Sequence, residues 1–131
     1  MNNPIRIALA ALVVVNLSGC VVAIGTEDIE HSGAKWSQIE RDNRRAIDSL
    51  TLGMGVREAQ DLMPYEADFN EAFFVDGVAY RALFYRTQRV DGDGVTTRDE
   101  TTPLIFADGA LIGWGAAAWS EATGQPLAAV D

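Results

Sequence analysis

The chain has little of what most catalytic and metal sites require. Its 131 residues include one cysteine, Cys20, and one histidine, His31. That excludes a Cys/His zinc site and a disulfide framework within one chain. Basic residues are scarce: 10 Lys and Arg stand against 19 Asp and Glu, a net charge of −9. Nucleic-acid binding needs a basic footprint, which this balance does not provide. The unbroken apolar run Ile7 to Val15 is nine residues long, whereas spanning a bilayer core takes about 20. No glycine-rich phosphate loop is present, because the glycines fall at hairpin-type turns. There is no internal repeat and no domain boundary. What remains is globular: hydrophobic residues make up 48% and charged residues 22%, enough for one small domain plus a targeting segment.

The amino terminus supplies that segment. Arg6 and the free amino group make a positive start, Ile7–Val15 an apolar core, and Ser18-Gly19 a small-residue cut site before Cys20. This is the pattern of a secretory signal peptide over residues 1–19. The run Leu17-Ser18-Gly19-Cys20 resembles the lipobox of bacterial lipoproteins. The resemblance implies a diacylglycerol on the Cys20 sulfur, cleavage before Cys20, and an acyl chain on the new amino group. Each buried methylene adds ~0.8 kcal/mol of membrane affinity, and two or more chains anchor stably. Cleavage of residues 1–19 removes Arg6 and no acid, so 112 residues remain and the charge moves from −9 to −10. Val21, rather than Asp, follows the cysteine. By the same resemblance this places the protein on the periplasmic face of the outer membrane.

Residues 20–33 read as a lipidated tether with little periodicity, and His31 as a solvated side chain within it. From Ala34 to Leu50 the apolar residues Trp36, Ile39, Ala46, Ile47 and Leu50 share one helical face, with Glu40, Arg41, Asp42, Arg44 and Arg45 mostly on the remaining surface. Ser32 is the expected cap. Gly53 fits a turn that needs positive φ. A short helix follows from Val56 to Met63, with Val56, Ala59, Leu62 and Met63 inward, and Pro64 stops it. The period then changes to alternation. Phe69 to Val75 is a strand with an irregularity near Asn70. Asp76-Gly77 is a hairpin turn, and Val78 to Val90 a long strand. One face of that strand is expected against helices, the other partly covered or open to a partner. Asp91 to Gly94 turns, Thr96 to Phe106 is a third strand with Pro103 at an edge or bulge, and Asp108-Gly109 turns into Ala110–Gly115. The domain is therefore expected over 34–119, with a flexible tail over 120–131 that carries one helical turn or two near Trp119.

This is an α+β pattern: two N-terminal helices packed on an antiparallel β-meander of three to four strands. The spacing of Leu50, Leu52, Gly53, Met54, Glu58, Ala59, Leu62, Met63 and Pro64 resembles the signature of small outer-membrane lipoproteins around BamE (SmpA/OmlA), with Gly55 in place of their usual capping residue. The runs Tyr80-Arg81-x-Leu83-Phe84-Tyr85-Arg86-Thr87-Gln88-Arg89, Asp99-Glu100-Thr101-Thr102-Pro103-Leu104-x-Phe106-x-Asp108-Gly109 and Gly113-Trp114-Gly115 are similar to the DUF3192 lipoprotein family. That likeness spans about residues 36–119. It implies a BamE-like fold and, by analogy, a role beside the barrel-assembly machinery.

No catalytic arrangement emerges. A Ser–His–acid set would need His31, in the expected tether. Asp91 and Asp93 fail the EF-hand template, since Val95, Thr96 and Thr102 occupy its fifth, sixth and twelfth positions. We therefore expect no enzyme, cofactor or metal. The candidate contact residues are Tyr80, Arg81, Tyr85, Arg86 and Arg89 on one strand, of types enriched in binding hot spots, with the loop at Gly53 and Met54. The competing reading pairs those arginines across strands with Asp99 or Glu100. The expected role is a protein-binding or scaffold module for envelope assembly or maintenance. The alternative is a tethered soluble-ligand or inhibitor-type binder using the sheet face.

Overall fold

In the computed structural model, residues 27–128 are described. The expected signal peptide and Cys20 lie outside them. Helix α1 runs Glu27–Asp48, α2 Val56–Leu62, then strands β1 Phe69–Val75, β2 Val78–Arg86, β3 Thr101–Ala107 and β4 Ala110–Trp114, and finally helix α3 Ala116–Thr123. A single 3-10 turn, Arg98–Glu100, precedes β3. The architecture is α+β, with a four-stranded antiparallel sheet in the order β1-β2-β3-β4.

Helix α1 begins well before Ala34, so the second half of the expected tether, His31 included, is helical. Gly33 within it is tolerated at a cost of about 1 kcal/mol. Ile47 and Leu50 are buried as expected. So are Glu40 and Asn43, of which Glu40 was expected on the surface; the reason is Arg86, described below. In α2 the buried stripe is Ala59 and Met63, with Val56 packed beside them. Leu62 is 48% exposed, which corrects its expected inward position. Val56, Ala59 and Met63 follow one another at spacings of three and four, and Leu62 lies about 100° off that line. The missing side-chain cap at Gly55 is partly replaced by Glu58, whose carboxylate accepts from the Gly55 N–H at 3.3 Å. Met63 is extended (φ −78°, ψ 133°), as the residue before a proline must be.

Both Asp-Gly pairs make tight hairpins, with Asp76 at φ 50° and Gly77 at 80°, and Asp108 at 48° and Gly109 at 82°. The β1–β2 ladder runs without a register shift through Asn70. Strand β2 stops at Arg86, not Val90, and β3 starts at Thr101, not Thr96. Pro103 sits in an interior strand, but its carbonyl accepts from Gly115 N–H, one residue past the end of β4. Its missing donor therefore faces a position where β4 has no partner to lose.

The sheet is covered on both faces. Ile47, Leu50, Ala59 and Met63 pack on Leu83, Tyr85, Leu104, Phe106 and Leu111 on one side. Trp119 and Ala122 of α3 pack on Ala82, Phe84 and Ile105 on the other, and Leu127 joins them. The sheet face expected to stay partly open is thus closed by α3, and residues expected in the tail belong to the core. Trp119 meets Phe73 and Phe84 edge-on at 5.7 and 5.3 Å.

Candidate binding cleft beside the first strand

The residues singled out on β2 separate into two groups. Arg86, only 2% exposed, closes an interior network at the end of its strand. Its Nε lies 3.0 Å from Glu40 Oε1, and its Nη1 3.0 Å from Glu100 Oε2. Nη1 also donates to Thr96 Oγ1 at 2.8 Å, and the guanidinium stands 4.3 Å from the centre of the Trp36 ring. The Arg86 N–H donates to Asp68 and its carbonyl accepts from Asn43 Nδ2, both at 2.8 Å.

Glu100 is fully buried. It accepts from the N–H groups of Val90, Asp91 and Thr97 at 2.9, 3.0 and 3.3 Å. Burial pushes its carboxyl up, but those three donors and Arg86 outweigh it and hold the group below its ordinary value. The N–H groups of Thr87 and Gln88 both donate to the Glu100 carbonyl at 3.0 and 3.2 Å, which breaks the one-to-one ladder where β2 ends. Burial, then the charge of Asp68, pushes the Tyr85 phenol up to about 12. Tyr85 and Arg86 are therefore interior, not contact residues. The competing expectation, Arg86 paired with Glu100, is the one the geometry holds.

The other candidates are nearer the surface. Tyr80 is half-buried and stacked on Phe73 at 5.3 Å. Arg81 is exposed and donates from Nε to Asn70 Oδ1 at 3.1 Å. Arg89 is exposed in the segment between β2 and β3. Gly53, at φ 90°, turns the chain so that its N–H donates to Leu111 O at 2.7 Å, while Leu111 N–H donates to Met54 O at 2.8 Å. Met54 itself is half-buried on the core. The loop thus pairs with the start of β4 at its outer edge, at Ala110 and Leu111.

The edge of β1 has no such cover among the described residues. Beside it runs a cleft of about 670 Å³, lined by Glu71, Phe73, Val75, Arg98, Trp119 and Thr123 among others. Arg98 forms an ion pair with Glu71 and stacks its guanidinium 5.0 Å from the Phe84 ring centre. Its Nε is buried without a partner. On the opposite face of the same strand Phe74 is 78% exposed. The sequence reading did not single this site out. Its signal was the pair Phe73-Phe74: neighbours in a strand point to opposite faces, so each needs its own cover.

The ionisable side chains lining this cleft, Glu71 and Arg98, are engaged with each other. Among the described residues no three His, Cys, Asp or Glu groups are placed to hold a metal, and no helix is long and apolar enough to cross a membrane.

An α+β domain with an antiparallel meander between helices, and an aromatic cleft at one edge, defines the class of protein. The chain belongs to the DUF3192 family, described as a protein of unknown function, which it matches over residues 18–121. No curated protein and no solved structure matches it.

Proposed function

We propose that the chain is a lipoprotein anchored through Cys20 in the outer membrane. Its BamE-like periplasmic domain serves as a non-enzymatic protein-binding or scaffold module in envelope assembly or maintenance. The observation that carries the binding role is the open edge of β1, with Phe74 78% exposed and the cleft of Phe73 and Trp119 running along the same strand. An edge strand presents unpaired N–H and C=O groups on which another chain can pair. The anchor rests on Leu17-Ser18-Gly19-Cys20, and the family match opens at residue 18, so Cys20 lies within it.

The anchor is tested by intact mass and fractionation. The purified protein should carry lipid on Cys20 and sediment with membranes, and Cys20→Ser should release it. An unmodified thiol in the wild-type protein would overturn the anchor. For the binding role, a photocrosslinker in place of Phe74 should join one discrete envelope protein in intact cells, and one at exposed Asp48 of α1 should not. No adduct from either position would overturn it. The tethered soluble-ligand reading draws on the cleft volume, which lies in the range of small-molecule sites. A small molecule retained in native mass spectrometry would favour that reading.

A further inference from the structure

We propose that β1 accepts a fifth strand: an extended segment of a partner protein, apolar at alternate positions and flanked by Lys or Arg. The inference rests on the protein-binding reading above and specifies its mode.

The register identifies the free main-chain groups. Asp76-Gly77 is a two-residue turn with both φ angles positive, so the closing pair Val75–Val78 is hydrogen-bonded. Bonded and non-bonded pairs alternate in an antiparallel ladder. Phe73–Tyr80 and Glu71–Ala82 are then bonded as well. The N–H and C=O groups of Asn70, Ala72 and Phe74 consequently point away from β2, towards the open edge.

That edge lacks the usual defences against strand addition. Proteins protect edges with proline, lysine, bulges, inward charges or a covering loop. Strand β1 reads Phe-Asn-Glu-Ala-Phe-Phe-Val, with an unshifted register and no proline or lysine. Its one acid, Glu71, is paired with Arg98. The opposite edge, by contrast, has the outward main-chain groups of Leu111 taken by Gly53 and Met54.

Charge selects the occupant. Exposed Glu66 and Asp68 precede the strand and exposed Asp76 follows it. A second copy, paired antiparallel about Ala72 so that all three outward residues are used, would set Asp68 directly opposite Asp76 of the copy at both ends. Like charges facing each other across a ladder are destabilising, and chains of net charge −9 repel. Basic flanks on a partner segment meet the same acids favourably. Its side chains on one face enter the cleft beside Phe73 and Trp119, and those on the other cover Phe74.

The test uses the full chain in detergent and a blocked peptide, KKVTFTVKK, followed by fluorescence anisotropy and amide hydrogen exchange. Micromolar binding is expected. The amides of Asn70, Ala72 and Phe74 should slow on binding, and Gly53 should not change. A version N-methylated at alternate residues, and the acid-flanked EEVTFTVEE, should each bind at least tenfold more weakly. Ala72→Pro should bind tenfold more weakly while keeping the wild-type melting temperature, because the N–H it removes faces outward and proline is tolerated on such an edge. Should the proline variant not fold, the N-methylated peptide decides the matter. Equal binding of the N-methylated and parent peptides, or no slowing of the three amides, would overturn strand addition. A dimer in sedimentation that Ala72→Pro dissolves would overturn the choice of occupant. If position 74 still crosslinks an envelope protein while the peptide tests fail, the binding module stands and only its mode is wrong. If both fail, both readings fall.

Discussion

Replacing Arg86 by methionine tests the interior network most directly. The variant keeps a long side chain but removes two ion pairs at 3.0 Å, the hydrogen bond to Thr96 and the stacking on Trp36. Glu100, fully buried, is left without its cation. Breaking a buried pair by deleting one partner costs about 3–5 kcal/mol. Here the low end applies, because Glu100 retains three N–H donors. A loss of ~3 kcal/mol at about 4–8 °C per kcal/mol lowers the melting temperature by about 12–24 °C.

The effect carries a pH signature. Glu100 titrates in the fold below its ordinary value of 4.5. Its stabilisation is therefore fully present above pH 4.5 and disappears as pH falls through the lower folded value. In Arg86→Met one of the influences lowering Glu100 is gone, so the variant loses less on acidification and the gap from wild type narrows below pH 4.5. Thermal unfolding followed by circular dichroism between pH 7 and pH 3.5 measures both. A shift under 5 °C at pH 7, or a gap that stays constant down to pH 3.5, would refute the role given to this network.

Two further substitutions examine the packing. Leu62→Asp should cost about 1 kcal/mol or less, because the side chain is half in water, whereas Met63→Asp puts an unpaired charge in the core and should abolish cooperative urea unfolding; equal behaviour of the two would show that the α2 face is misassigned. Trp119→Ala, which removes the main cover of the second sheet face, should cost about 3–5 kcal/mol and raise dye binding to exposed apolar surface; a loss under 1 kcal/mol would mean that α3 is dispensable.

The turns and the helix stops were legible in the sequence because they obey local rules. Asp76-Gly77 and Asp108-Gly109 need positive φ, and those residue types supply it within two positions. Pro64 forces Met63 to extend from the neighbouring position. The alternation after Pro64 announced strands for the same reason. Leu62 was misplaced because a seven-residue helix offers too few apolar positions to define its stripe. Helix α3 was underestimated because Ala116-Ala117-Ala118 carries no amphipathic signal; Trp119 becomes an anchor only through Phe73 and Phe84. The hub at Arg86 was half visible. Its residue types suggested both an interface and a cross-strand pair, and nothing along the chain decides between them.

Sequence alone thus settled the order of helices and hairpins, the family likeness and the acidic balance, each written in neighbouring residues or in totals. Which charges are buried, which sheet face is closed and which edge stays open depended on the tertiary structure. Glu40 and Glu100 meet Arg86 across 46 and 14 residues of chain, and burial is set by whatever distant segment comes to lie alongside.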